Sequence, residues 1–385
     1  MKNHRLRRNV LASVLALTAL ALASPPLMAG GGYRQTNLVS DIPGLATHTD
    51  SNMVNPWGIS SSPASPFWVS NAGTGTSTLY NTAGVPLPLV VNIPGPGGST
   101  PGVPTGQVFN STGAFNGDIF VFASMTGTIA GWRGALGTTA ETLVNSSASG
   151  AAYFGIAIGS MGTNHYLYAA DFGRGMIDVI PSSGAPALSG SFTDPNLPAG
   201  YAPFNIQNVG GALYVSYALK DDEGEEVKGA GNGFVDKYDL NGNLLQRFAS
   251  GGVLNAPWAV TQAPASFGQF GGDILVGNFG DGTIHAFDSV TGNLIGSLKD
   301  SMGNPLVNEG LWGLKFGNGG NGGNPNKLYF AAGIDDEQHG LFGSFTPVPE
   351  PTTYALAGLA LLGMRIAIAH RRKRREIAAD AASLG

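Results

Sequence analysis

Two oxygen-rich segments are the concentrated polar features of this chain. "KDDEGEEVKGAGNG" carries Asp221, Asp222, Glu223, Glu225 and Glu226, and "DDEQHG" carries Asp335, Asp336, Glu337 and His339. Clustered carboxylates suit a hard cation such as Ca²⁺, which takes six to eight oxygen ligands. On that reading Asp221, Asp222, Glu223, Asp335, Asp336 and Glu337 are candidate ligands. Neither segment has EF-hand spacing, and a solvated acidic loop is the plainer reading. A second set, Asn71, Asp171 and Asn278, recurs where a short apolar run ends. Amide and carboxylate oxygens at such places could hold a metal, but Asn and Asp also end strands as ordinary turn formers.

The remaining chemistry is thin, and no catalytic residue is assigned. There is no Gly-x-Ser-x-Gly elbow, no Walker-type Gly-Lys-Ser/Thr and no His-Glu-x-x-His. A Gly-x-Gly-x-x-Gly match at Gly317, Gly319 and Gly322 lies in "GNGGNGGNPN" between two β-rich runs. With no helix after it to receive a phosphate, it reads as a flexible loop. The chain has no cysteine, so disulfides, thiol catalysis and thiolate metal sites are excluded.

What would position these residues is a repeat. "NPWGIS" at 55, "VPTGQV" at 103, "AYFGIA" at 152, "APFNIQ" at 202, "APWAVT" at 256 and "GLWGLK" at 310 each set an apolar or aromatic residue beside a small or amide one. Each is followed by β-rich runs such as "PFWVSN" and "STLYN", joined by turns. A period near fifty with three to four short strands predicts an all-β, six-bladed β-propeller. A pair of β-sandwich domains is the alternative fold, and it leaves the regular period unexplained. Five repeats offer a fourth strand, in "PLVVNI", "ETLVN", "ALSGSF", "LLQRF" and "LIGSL"; the sixth has none. The spare run at 33–39 should close the ring by pairing near Leu341 to Phe345. Trp57, Phe154, Phe204, Trp258 and Trp312 share one repeat position and should pack between blades as core. A sugar-stacking platform is the other reading of these rings.

The ends carry addresses. Lys2, Arg5, Arg7 and Arg8 precede the apolar stretch Val10 to Ala23, with small-residue cleavage sites at Ala23 and Ala29. That is a secretory signal, 1–29, followed by a body over 30–347. From Thr352 to Ala369 the chain is almost wholly apolar, and Arg371, Arg372, Lys373, Arg374 and Arg375 follow. Such a segment is just long enough to span a bilayer, with its basic end held inside. Residues 30–348 contain ten Lys and Arg against twenty-two Asp and Glu, a net of −12, whereas the whole chain carries −5. An acidic body repels phosphate backbones, so nucleic acid is not an expected partner.

Val348-Pro349-Glu350-Pro351, the apolar segment and the arginine-rich end resemble the PEP-CTERM sorting signal of Gram-negative bacteria. The resemblance implies transient insertion in the inner membrane, recognition of Pro349-Glu350-Pro351 by an exosortase and removal of the tail after it, then passage to the cell surface or extracellular matrix. Arg365 inside the apolar span and "EIAADAASLG" after the arginines depart from that pattern. From "YRQTNLVSD" to "HGLFGSF" the body resembles PEP-CTERM-associated exported proteins related to NHL-type propellers. The resemblance rests on "GNGFVDKYDLNGNLLQRFASGG", "LNAPWAV", "APASFG", "LVGNFGDGTIHAFD" and "EGLWGLKFGNG". It implies a fold and a location but no activity. The expectation is a non-catalytic binding module for polysaccharide or another surface protein. The alternative is a metal-dependent hydrolase or lactonase, because lactonase-type propellers hold a central metal through Asn, Asp and Glu, the types found at Asn71, Asp171 and Asn278.

Overall fold

The structure, a computed structural model, describes residues 31–98, 101–349, 358–359 and 361–372. Over Tyr33–Asp300 and Asn304–Pro347 it is one unit of six sheets, the blades of a propeller, antiparallel except where the short edge strand His48–Thr49 runs parallel to Tyr33–Ser40. Blade 1 runs Pro56–Ser60, Phe67–Asn71, Thr76–Tyr80, Pro86–Asn92 from the axis outwards. Blade 2 runs Pro104–Phe109, Phe120–Ser124, Thr128–Trp132, Glu141–Asn145. Blade 4 is Tyr201–Val209, Ala212–Leu219, Phe234–Tyr238, Leu244–Ser250, and blade 5 is Pro257–Gln262, Ile274–Asn278, Ile284–Phe287, Leu294–Ser297.

Burial follows the layering. The second strands of blades 1, 2 and 5 are buried at every residue, because both faces meet neighbouring blades. That is why "FWVSN" and "ILVGN" read as continuous apolar and small runs rather than alternating ones. Outer strands alternate or expose more: Leu245, Leu294 and Ile295 are half exposed.

Blade 6 confirms the expected closure. Leu311–Phe316, Leu328–Ile334 and His339–Pro347 are completed by Tyr33–Ser40, which pairs antiparallel with the last strand from Tyr33↔Pro347 to Ser40↔Leu341. Tyr33 and Val39 are buried there, so the N-terminal strand adds core as well as backbone hydrogen bonds.

Blade 3 departs from expectation. It has three strands, Tyr153–Met161, Asn164–Asp171 and Met176–Pro181, and "ALSGSF" forms no fourth. Instead the backbone N–H groups of Gly190 and Phe192 donate to the carbonyls of Asn241 and Gly242, in the outer hairpin turn of blade 4. Phe192, at positive φ, packs on Tyr168 and Tyr238. Asp194 pairs with Arg247. The prolines at 186, 195 and 198 suit such an irregular strap better than a ladder. The glycine loop at 317–322 is also more constrained than read: Asn318 Nδ2 donates to the carbonyls of Ser62 (2.7 Å) and Ser65 (2.9 Å) in blade 1. It braces the seam between the last and first blades.

In the terminal segments, residues 358–359 and 361–372 are helical, and their Leu, Met and Ile side chains are exposed. No helix among the described residues is long and apolar enough to cross a membrane. The expected span begins at 352, and residues 352–357 lie outside the described residues, as do the secretory segment, Glu350, Pro351, Lys373, Arg374 and Arg375.

Candidate binding site at the acidic mouth of the channel

Every inner strand carries a register irregularity at the same repeat position: between Pro56 and Ile59, Pro104 and Gln107, Tyr153 and Gly155, Pro203 and Asn205, Pro257 and Ala259, Leu311 and Leu314. A bulge kinks the strand and re-aims a side chain. Here it sits at Trp57, Phe154, Phe204, Trp258 and Trp312, and the rings meet across the axis. Trp57 stacks on Trp312 of the adjacent blade, with centroids 3.3 Å apart, and also packs edge-on against Phe154 of blade 3 (5.4 Å) and Trp258 of blade 5 (6.0 Å). Contacts between non-adjacent blades mean that the rings fill the channel rather than the wedges between blades. The core reading holds, with that change of place. All five are buried, so they offer no open stacking platform.

The small or amide partner in the repeat now has a reason. A Cβ on Gly58 would stand 2.6 Å from the Thr105 carbonyl oxygen, and one on Gly106 would stand 2.8 Å from the Ile156 nitrogen. Inner strands approach too closely there for a side chain. In blade 4 an amide replaces that glycine and braces its neighbour, Asn205 Nδ2 donating to Trp258 O (2.8 Å); one residue further along in blade 2, Gln107 Nε2 donates to Gly58 O (2.8 Å).

Where the inner strands begin, a cavity of about 210 Å³ opens above this plug. Trp57, Phe154, Phe279, Trp312 and Met125 line its floor, and Glu225, Glu226, Lys228, Asp336 and Glu337 line its walls. Both acidic segments therefore reach one cavity. Asn255 Oδ1 accepts from the Gly229 N–H (2.6 Å) and holds the blade 4 loop. Asn55 accepts from Trp57 Nε1 (3.0 Å) and donates to Glu337 Oε2 (3.1 Å), so it ties the blade 6 turn to the plug. Lys228 places its ammonium 4.5 Å from the Phe279 ring centroid.

The electrostatics are those of crowded, half-buried carboxylates with one cation. Burial, then the charges of Glu337 and Glu225, push Glu226 up to about 7, against the pull of its own backbone N–H and Lys228. Burial also raises Glu337, while the Asn55 hydrogen bond and Lys228 hold it back. Asp335, Asp336 and Glu337 all have positive φ, at 56°, 49° and 63°. Three successive non-glycine residues in the left-handed region cost about 1–2 kcal/mol each. Strain of this kind concentrates at ligand-binding and active sites.

The sequence candidates divide. Glu337 and Asp336 line the cavity. Asp221 instead builds its own loop, accepting from the N–H groups of Glu223 (3.0 Å) and Glu225 (2.8 Å), with Asp222 and Glu223 exposed beside it. Asp335 is exposed, 4.0 Å from His339, whose Nδ1 lies 2.6 Å from Asp41. Among the described residues, no group of three or more His, Asp or Glu side chains is arranged to hold a metal. Asn71, Asp171 and Asn278 are fully buried, and Asn71 Oδ1 has no hydrogen-bond partner among the described residues. Asn71 donates to Thr76 and Thr78. Asp171 accepts from the Ala152 and Arg174 N–H groups and pairs with the Arg174 side chain. Asn278 accepts from Asn255 N–H and donates to Val253 O. None of the three lines the cavity. Of the sorting residues, Val348 and Pro349 are described, and Arg371 and Arg372 are exposed on the tail helix. Sequence reasoning passed over Asn55, Lys228, Asn255 and Phe279, although Asn55 and Lys228 stand inside stretches singled out for other reasons.

Residues 347–373 match the PEP-CTERM protein-sorting motif. Uncharacterized protein R648 of Acanthamoeba polyphaga mimivirus is 34% identical over 330 residues, 80% of this chain and 78% of that protein. Uncharacterized protein L690 of the same virus is 32% identical over 342 residues, 83% of this chain and 87% of that protein. Among solved structures, a streptogramin B lyase and the PQQ-bound aldose sugar dehydrogenase of Streptomyces coelicolor each align at 14% identity and a TM-score of 0.48. Both alignments cover 84% of this chain and 100% of the other. At those values neither enzyme lends this chain an activity.

Proposed function

Since this chain belongs to the family of mimivirus proteins R648 and L690 and ends in a PEP-CTERM sorting motif, we propose that it is an exported propeller that binds polysaccharide without catalysis. The motif implies exosortase-mediated sorting and export to the surface of a Gram-negative cell. The proposed division is a secretory signal over 1–29, the propeller over 30–347 and a sorting segment over 348–385 that inserts transiently in the inner membrane and then loses everything after its Pro-Glu-Pro region. The basic run Arg371 to Arg375 would hold the tail's end inside while Val348 to Pro351 meet the exosortase at the outer boundary.

One observation carries the binding reading: the two acidic segments converge on one cavity over a closed aromatic floor. Carboxylates accept hydrogen bonds from sugar hydroxyls, Lys228 donates, and the apolar floor excludes water. The metal-hydrolase alternative is less well supported, because Asn71, Asp171 and Asn278 do not line the cavity. Ca²⁺ at the acidic loops would need ligands that Asp221 and Asp335 do not direct into the cavity.

Elemental analysis of the purified protein and fractionation with intact-mass measurement test this together. The expected result is no stoichiometric divalent ion, and a mature protein at the surface lacking 352–385. A tightly held ion at one per chain would favour the hydrolase. Full-length protein in the inner membrane would make the tail a plain anchor.

A further inference from the structure

The opposite mouth of the channel, where the inner strands end, is a different kind of site. Its cavity of about 250 Å³ is lined by the inner strands of all six blades, and Lys315 is the one charged residue in that lining. Lys315 occupies the repeat position held by Ser60, Val108, Ala157, Gln207 and Thr261 in the other blades. Its side chain makes no hydrogen bond or ion pair with any described residue. Beside it, the Ser61 hydroxyl is buried without a hydrogen-bond partner. Gln207 accepts from Val260 N–H through Oε1 (2.8 Å), which leaves its amide hydrogens without a described partner. A propeller body with a net charge of −12 thus encloses a lone cation among uncommitted donors, with no carboxylate to meet it.

We propose that this mouth binds a small monocarboxylate, with Lys315 as its counter-ion and Gln207 as a hydrogen-bond donor. One cation balances one negative charge, whereas a phosphate dianion would bring a second charge with nothing to pair it. The aliphatic lining from Ile59, Ile158 and Val260 suits the carbon skeleton of an acid about the size of a sugar acid. Burial lowers the Lys315 ammonium from its ordinary value, and an arriving carboxylate would reverse that by restoring the missing opposite charge. The site stands apart from the acidic mouth and does not depend on polysaccharide binding there.

Calorimetric titration of the full-length protein with butyrate, glucuronate, inorganic phosphate and glucose tests the proposal. Saturable one-to-one binding is expected for butyrate, glucuronate or both: butyrate alone would specify an aliphatic acid, and glucuronate alone a sugar acid. Lys315→Met should weaken it about tenfold or more, as loss of a charge-assisted hydrogen bond does. Glu226→Gln at the other mouth should leave it unchanged. In unmutated protein, saturating carboxylate should also protect Lys315 from acetylation, read by peptide mass spectrometry, so the result does not hang on folding of the variant. The proposal is overturned if neither carboxylate saturates by about 10 mM, if phosphate binds as tightly, or if Lys315 acetylates equally with and without ligand.

Discussion

The two ends of one channel are built by opposite means. At the acidic end, loops of unequal length from blades 4 and 6 bring carboxylates over the plug, and neighbouring amides fix them: Asn255 holds one loop and Asn55 the other. At the other end no loop intrudes, and the strands themselves shape the cavity, with one lysine breaking a polar and aliphatic repeat. Between them the channel shrinks to a void of about 10 Å³ over Trp258, barely enough for one water. The plug therefore makes two separate sites out of one axis. Each site lies where the sixfold repeat fails, through loop insertion at one end and a single substitution at the other.

Both mouths depend on a closed ring, so opening it should have the largest effect. Deleting residues 33–39 removes the strand that completes blade 6, including buried Tyr33 and Val39. We expect a loss of several kcal/mol, of the order of 5, with aggregation through the bared edge. Denaturant unfolding and light scattering check it, and unchanged stability and solubility would refute the closure as a source of stability.

Trp312→Ala attacks the barrier itself. Trp312 stacks on Trp57 and, at 4.0 Å, on Phe279, so its removal should cost about 3–5 kcal/mol. It should also join the two cavities, so that a ligand of one mouth alters binding at the other. A destabilisation under about 1 kcal/mol by urea unfolding would mean that the plug is not packed as described.

The acidic mouth should show its crowding in pH dependence. Glu226 titrates near 7 in the folded state, above its ordinary value of 4.5. The unfolded chain therefore loses this proton first. Stability attributable to the group is fully present below pH 4.5 and falls as pH rises towards 7, then levels off. Glu226→Gln should remove that fall, gaining about 1–2 kcal/mol at pH 8 over wild type after allowance for solvent around a half-buried group. Parallel stability curves for the two proteins from pH 4 to 8 would contradict it.

Asn55→Ala should have the smallest effect, about 1–2 kcal/mol, because it cuts two hydrogen bonds, from Trp57 and to Glu337. It should also raise the Glu337 carboxyl further, since the Asn55 hydrogen bond favours the ionised form. A carboxyl NMR titration would check that direction.

Much of this was legible in the sequence, and what was not has physical causes. The fifty-residue period sets the blade count, and the spare strand at 33–39 points to the closure, because backbone pairing and layer burial act repeat by repeat. The aromatic–small pair was visible, but its meaning was not: only the bulge shows that Trp57 turns into the axis while Gly58 admits the next strand. "ALSGSF" looked like a strand because its composition permits one, and contacts with the turn at Asn241 and Gly242 decided otherwise. The acidic segments were recognised as polar but not as partners, because 110 or more residues of chain separate Glu226 from Glu337. Asn71, Asp171 and Asn278 drew attention by type, and their side chains serve the turns that the same type equally suits. Lys315 had no signal beyond being the charged residue at a position that is otherwise uncharged.

On this reading the acidic mouth, and not the lysine mouth, receives polysaccharide. Co-sedimentation of the full-length protein with the extracellular polysaccharide of its own cells, in parallel with Glu226→Gln/Glu337→Gln and Lys315→Met, tests it most directly, with reducing ends measured in the same tubes. Wild type and Lys315→Met should both bind, the double variant should bind at least about tenfold more weakly, and no new reducing ends should form. Undiminished binding by the double variant, or reducing ends that accumulate with wild type and vanish with the double variant, would contradict it.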